Sequence, residues 1–283
     1  QSLQEFIFNI NVPTRVGFQC MSADTEILAV DGWKKHEEVK PGDIIATFNV
    51  EKGYIEHLPV KRVFAREYQG KMYNLKNPIS DQLISPQHRI VRKKFSSAQY
   101  VLETIEDVLA LESPFTVPLG SDGNVKGKTD LTVDIIKLLA WVISTGSLAT
   151  DDKGNPEISI DCLEGKNSTS SGEIAELCRK LGWNYSRNTE KEAGAMTDIL
   201  KLDQDSTEKL LAIIAADKKA GIKFIPDKIL QADTESARIF LETYIRGNAH
   251  EGAIVVTSEI IKDQLLQVIV NAGYSATVST SKP

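Results

Sequence analysis

The chain has 283 residues, 41% hydrophobic and 25% charged, a globular composition with length for two domains of ordinary size. Its 33 Lys and Arg face 39 Asp and Glu, and the imbalance is local: residues 1–129 hold 16 of each sign, whereas residues 130–283 hold 17 basic and 23 acidic groups, net −6. Proteins draw most of their DNA affinity from neutralising phosphates, so this balance weighs against tight DNA binding. No apolar run reaches the roughly 18 residues of a membrane span, and Gln1-Ser2-Leu3-Gln4-Glu5-Phe6 lacks the basic and apolar regions of a secretory signal. A soluble, cytoplasmic protein without a membrane partner is expected. Cys20, Cys162 and Cys178 form no short-spaced pair and no Cys/His cluster, so neither a zinc site nor a disulfide framework is indicated, and no metal site is expected.

In chain order, residues 1–19 differ in character from the rest of the chain. Phe8-Asn9-Ile10-Asn11-Val12-Pro13-Thr14-Arg15-Val16-Gly17-Phe18-Gln19 resembles a stretch of anaerobic (class III) ribonucleoside-triphosphate reductase, and the likeness stops at Cys20. That resemblance implies a host (N-extein) segment at 1–19 and a junction at Gln19-Cys20. Cys20 opens the string Cys20-Met21-Ser22-Ala23-Asp24-Thr25-Glu26-Ile27, and Ser85-Pro86-Gln87-His88 follows 65 residues later. A thiol whose own backbone nitrogen forms a peptide bond attacks the preceding carbonyl if a neighbouring group activates that amide and protonates its nitrogen. Such chemistry needs a thiol, a hydroxyl and an imidazole. The two strings resemble the first two motifs of the Hint fold of inteins, C-x-x-x-D-T-x-I and T-x-x-H set in a strand, with Ser85 keeping the hydroxyl of the usual Thr. The resemblance implies that Cys20 is the nucleophile of an N-to-S acyl shift giving a thioester, with Ser85 and His88 as catalytic partners. The plain alternatives are a buried apolar Cys20 and a satisfied structural His88. Asp24 and Thr25 either orient Cys20 or cap and pair within a turn.

From Cys20 to about Pro118 short apolar runs alternate with turn signals. Strands are expected at Glu26–Val30, closed by the hairpin signal Asp31-Gly32, at Asp43–Asn49 after Pro41-Gly42, and at Lys71–Leu75 after Gly70. Residues 20–119 thus read as a mostly-β module, matching the N-terminal part of a Hint horseshoe. The polar, Gly-rich stretch Gly120–Lys128 offers nothing from which to build a core and is placed as the domain boundary.

Beyond it the pattern turns helical and repeats. Asp134–Gly146 and Ser236–Asn248 are apolar helices ending near Gly; strand-like runs follow at Glu157–Asp161 and Ala253–Thr257; second helices close in Gly182-Trp183 and Gly273-Tyr274. The duplicated helix-plus-sheet unit, an α+β domain at 130–283 with repeats at about 131–222 and 233–283, resembles the LAGLIDADG homing endonucleases inserted in many inteins. Ile222–Leu230 resembles the Lys-containing connector of that family. There an acid beside the terminal Gly of each motif helix binds the divalent metal that activates water. Here Thr145 and Asn248 occupy those positions, and neither supplies the anionic oxygens that Mg²⁺ requires. No cofactor is therefore expected, Mg²⁺ being needed only by an active endonuclease. Asp151, Asp152 and Glu251 read as solvated loop carboxylates, Cys162 and Cys178 as structural, and Trp141, Phe240 and Tyr244 as core.

Inteins finish splicing with a His-Asn pair at their C-terminal junction, and this chain ends at Ser279-Thr280-Ser281-Lys282-Pro283 without it. The resemblance thus implies an intein precursor fragment whose partners are a C-terminal intein segment and a C-extein, with a β edge left for them. Two rivals stand beside it: a site-specific DNA-binding protein or homing endonuclease, disfavoured by Thr145 and Asn248, and an inert structural remnant.

Overall fold

Short apolar runs punctuated by Gly, Pro and Asp make strands in the first half of the chain, and longer runs of helical period make helices in the second. The computed structural model describes residues 4–8, 20–77, 80–94, 97, 99–121, 125, 127–163, 170–192, 195–214, 224–250 and 253–279. The chain divides into two units, residues 1–125 with 273–283, and residues 126–272.

In the first unit the elements are β1 (Gln4–Phe8), β2 (Cys20–Ser22), β3 (Ile27–Ala29), β4 (Gly32–Lys34), β5 (Ile44–Asn49), β6 (Tyr54–Pro59), β7 (Ala65–Tyr68), β8 (Tyr73–Asn77), β9 (Ser80–Ile84), β10 (Arg89–Lys93), β11 (Tyr100–Thr104) and α1 (Ile105–Leu109). They form antiparallel sheets in the orders β7-β1-β2-β9-β8, β4-β3-β5-β6 and β10-β11. The hairpin expected at Asp31-Gly32 is shifted by one residue. Ala29 pairs with Gly32, Val30 and Asp31 make the turn, and Gly32 opens the return strand at φ +124, a backbone that favours glycine. Ile84, Ile90, Ile105 and Val108 form a small core, with Met21, Tyr73, Leu75, Phe115 and Val117 against it.

The second unit contains α2 (Val133–Thr145), β12 (Gly146–Thr150), β13 (Pro156–Leu163), α3 (Ser170–Leu181), β14 (Tyr185–Glu192), β15 (Ala195–Leu202), α4 (Gln204–Ile214), α5 (Asp227–Leu230), α6 (Thr234–Asn248), β16 (Ala249–His250), β17 (Ala253–Ile254) and α7 (Glu259–Asn271). The first repeat builds an antiparallel sheet in the order β12-β13-β15-β14. In the second, the run expected as a strand at 253–257 pairs over two residues only, with β16; β17 has no second neighbour among the described residues, whereas β13 is flanked by β12 and β15. Residues 273–283, expected to continue this domain, belong with the first unit. The helix α7 stops at Gly273, φ +88, and the Tyr274 carbonyl then packs so closely on Gly120 that a Cβ there would lie 2.9 Å from its oxygen. Trp141, Phe240 and Tyr244 are all in the core of the second unit, as are Cys162 and Cys178. No helix among the described residues is long and apolar enough to cross a membrane.

The described part of the connector between the repeats, Phe224 to Ala232, lies outside any sheet; α5 pairs part of its backbone within itself, and the buried backbone groups of Ile225 and carbonyl of Leu230 take partners from side chains. Helix α7 supplies them. Gln264 Oε1 accepts from Ile225 N at 2.7 Å and its Nε2 donates to Ile225 O at 3.2 Å, while Gln267 Nε2 and Asn271 Nδ2 donate to Leu230 O at 3.2 and 2.9 Å. Replacing Gln264 with Leu leaves a buried N–H and a buried C=O unpaired, which should cost about 3 kcal/mol of the second unit's stability. Urea unfolding checks this, and a loss under about 1 kcal/mol would show that the clasp does not hold the connector.

Candidate active site at Cys20

Cys20 is the first residue of β2, and β2 meets β9 through the Met21–Ile84 pair. This brings the residue after β9 against the start of β2. Cys20 N donates to Ser85 Oγ at 3.0 Å, and Ser85 N donates to Cys20 O at 2.9 Å. Ser85, Pro86, Gln87 and His88 form a turn closed by His88 N donating to Ser85 O at 3.0 Å, with Pro86 at the position whose φ its ring pre-sets. Strand β10 begins at the next residue, so His88 is fixed between a turn and a strand, and Ile105 N donates to His88 O at 2.9 Å. The site is closed to solvent: Cys20 is 0% exposed, Ser85 1% and His88 9%.

Burial pulls the His88 imidazole down to about 4, with a smaller push from the Arg89 guanidinium. At neutral pH His88 is therefore uncharged, one ring nitrogen donating and the other accepting. Its Nδ1 is buried without a hydrogen-bond partner among the described residues. Thr25 belongs to the turn that follows β2: its N–H donates to Ser22 O at 3.1 Å, and its hydroxyl lies 3.3 Å from Ser22 Oγ, while Asp24 is exposed. Gln19 lies outside the described residues.

Two parts of this neighbourhood carry no signal in the Cys20 and His88 strings. One is Arg89, which faces the imidazole electrostatically. The other is α1, whose first residues contact the turn; its start is marked in the sequence by Thr104, which caps Asp107 N at 3.2 Å.

In the second unit, α2 ends at Thr145 and α6 at Asn248, each followed directly by a strand. The two helix ends converge: a Cβ on Gly247 would overlap Ser144 Oγ and lie 3.2 Å from Thr145 Cγ2. Thr145 Oγ1 donates to Trp141 O at 3.3 Å and Asn248 Nδ2 to Tyr244 OH at 3.1 Å, so both side chains bond within their own helices. This donor set, a hydroxyl and an amide, does not fit a hard divalent cation. Asp151 accepts from Lys153 N, Asn155 N and Asn155 Nδ2, the bonds from Asn155 chiefly holding its carboxyl below the usual range, and Asp152 is exposed. Glu251 lies outside the described residues.

No family model matches the chain. It is 28% identical over 91 residues to the ribonucleoside-diphosphate reductase subunit beta of Aquifex aeolicus (strain VF5), a match covering 31% of this chain and 13% of that protein. It is 27% identical over 95 residues to the DNA-directed RNA polymerase subunit beta C-terminal section of Stigeoclonium helveticum, covering 32% of this chain and 9% of that one. The chain thus spans a small fraction of either relative. Among solved structures it is similar to I-DmoI in complex with DNA and Mn, with a TM-score of 0.40 and 9% identity over 53% of this chain and 85% of that one. It is also similar to I-DmoI in complex with DNA and Ca, with a TM-score of 0.36 and 8% identity over 49% and 72%. Likenesses at these TM-scores assign neither a fold family nor an activity.

The low imidazole pKa has a consequence for stability. The folded value, about 4, lies below the ordinary 6.5, so this group's contribution is fully present above pH 6.5 and is lost as pH falls through 4. The loss should total about 3 kcal/mol in the first unit. An NMR titration of the imidazole signals, with His88→Gln identifying the resonance, should place the His88 midpoint near 4, and His88→Gln should flatten this part of the stability profile. A midpoint near 6.5 would contradict the burial.

Proposed function

We propose that the first unit carries out an autocatalytic N-to-S acyl shift at Gln19-Cys20, the opening step of protein splicing. The observation that supports this most directly is the buried hydrogen bond from Cys20 N to Ser85 Oγ, because it fixes the nitrogen of the bond to be broken. With Ser85 Oγ occupying the N–H direction, a second proton must reach that nitrogen along its developing lone pair, out of the amide plane. His88, neutral at pH 7, takes the thiol proton as Cys20 Sγ attacks the Gln19 carbonyl carbon. Burial disfavours the imidazolium, so it forms only transiently and gives up its proton readily. It returns the proton to the Cys20 nitrogen as the C–N bond breaks and the thioester remains. On this reading residues 1–19 are a host segment, residues 20–119 the N-terminal part of a Hint domain, and residues 130–272 a LAGLIDADG-type domain. A C-terminal intein segment and a C-extein are the partners that completion of splicing requires.

A strong thiol should release residues 1–19 through the thioester, read by intact mass. Cys20→Ala should abolish release, and His88→Ala should slow it by an order of magnitude or more, as loss of general acid-base help typically costs about 10²- to 10⁴-fold. Release from Cys20→Ala at the wild-type rate would sink the proposal, and a slowing under about twofold would return His88 to a structural role.

For the second unit we propose a DNA-binding ancestry without cleavage, since the side chains at 145 and 248, where the helix ends converge, are a hydroxyl and an amide and supply no carboxylate to hold a cation against a phosphate. Duplex DNA spanning the uninterrupted host site should stay intact in Mg²⁺ or Mn²⁺. Any residual binding should weaken steeply with salt. Site-specific cutting in either metal would favour the homing-endonuclease reading instead.

A further inference from the structure

The turn that carries Ser85 and His88 is braced from outside by a group that neither string contains. Glu106, in the first turn of α1, accepts from Gln87 Nε2 through Oε2 at 3.3 Å and from Tyr73 OH through Oε1 at 3.2 Å. Gln87 lies between Pro86 and His88 in the turn, and Tyr73 opens β8, which pairs with β9 just before Ser85. The adjacent residue, Ile105, donates its backbone N–H to His88 O at 2.9 Å. One carboxylate therefore ties the turn to the strand pair that leads into it, while the helix that carries it holds His88's own carbonyl. Lys71 Nζ sits 4.4 Å from the centroid of the Tyr73 ring, adding a positive charge on the same side.

We infer that Glu106, acting through Gln87 and Tyr73, is a positioning residue for the Ser85–His88 turn. The inference rests on the acyl-shift reading and names a further residue for it. Both bonds are exposed and long, so their net stabilisation is small. Their effect lies in geometry. Proton transfer and attack at Gln19-Cys20 depend on placement within a fraction of an ångström, and an unbraced turn samples more orientations of Ser85 Oγ and His88. Folding does not require Glu106, because the core beneath the turn is made by Ile84, Ile90, Ile105 and Val108.

The test is thiol-induced release of residues 1–19, followed by intact mass on the full chain, alongside the thermal midpoint of each variant. Glu106→Ala should slow release about fivefold to tenfold with its midpoint little changed, and Gln87→Ala and Tyr73→Phe should each slow it less. Gln87→Ala combined with Glu106→Ala should be no slower than Glu106→Ala alone, since the two residues act through one bond. The exchanged pair, Gln87→Glu with Glu106→Gln, restores a donor facing a carboxylate and leaves an oxygen for Tyr73 OH; it should recover release to within about twofold of wild type. A merely structural role for Glu106 would lower the thermal midpoint in step with the rate of release. Absence of release from the wild-type chain overturns the acyl-shift reading itself. Wild-type release with Glu106→Ala equally fast, or with no recovery in the exchanged pair, overturns only the role of Glu106. If Glu106→Ala fails to fold, Gln87→Ala and Tyr73→Phe carry the same decision.

Discussion

The reciprocal bond between Cys20 and Ser85 is the constraint on which the first unit turns. Sixty-five residues of chain separate the two, yet each donates to the other, the Cys20 N–H to the Ser85 hydroxyl and the Ser85 N–H to the Cys20 carbonyl. Closing so long a loop costs entropy that two hydrogen bonds cannot offset by themselves. The closure is supported by the strands on either side: β2 against β9, β9 against β8, and the apolar patch of Ile84, Ile90, Ile105 and Val108. Once closed, the site excludes water, and every polar atom inside it must find a protein partner or carry a cost. That exclusion keeps His88 neutral at pH 7 and makes its protonated form more acidic than an ordinary imidazolium.

A buried imidazole whose Nδ1 has no partner among the described residues is an unusual thing for a fold to keep. Buried polar atoms left unpaired are expensive, and the depressed pKa removes only the charge, not the hydrogen-bonding demand. Both facts fit a ring whose partner is a transient species, such as a thiol losing a proton or a nitrogen gaining one. The same ring would contribute more to stability as a methyl-bearing residue of similar size, so its presence in the turn is more readily understood through reactivity than through packing.

Much of this was legible in the sequence, and the rest shows which forces local pattern omits. Apolar spacing and a glycine with positive φ marked the ends of α3 and α7, with Gly182 at +66 and Gly273 at +88. The strings around Cys20 and Ser85 named the residues that the fold brings together, and the Thr104 cap was available to mark α1. Strand β14 was invisible by comparison. Tyr185–Glu190 are exposed throughout, so no alternation of buried residues announces β14. It is held by an eight-residue register with β15 and by Asp198, which pairs with Arg187 and accepts from Thr189 Oγ1 at 2.8 Å. Backbone pairing and one nearly buried carboxylate do for β14 what apolar side chains do elsewhere, and neither leaves a periodic trace. The destination of residues 273–283 was equally hidden, since it depends on a close approach of two backbones at Gly120 and Tyr274.

The converged ends of α2 and α6 connect packing to the charge of the residues that close them. Helix C-termini carry the negative end of the helix dipole, and here two of them meet where a Cβ at Gly247 would overlap Ser144 Oγ. Acids at 145 and 248 would set two carboxylates against each other and against both dipoles, an arrangement that a divalent cation relieves and that its absence penalises. Thr145 and Asn248 carry no charge, and each bonds within its own helix, to Trp141 O and Tyr244 OH. The apolar seam between the helices, with Trp141, Phe240 and Tyr244 buried, then holds without an ion. Arg246 adds a cation near the end of α6, forked onto Glu173 and 5.6 Å from the Trp141 ring, where it complements the dipole. With neutral side chains at 145 and 248, the two helix ends meet without the mutual repulsion that carboxylates at those positions would impose.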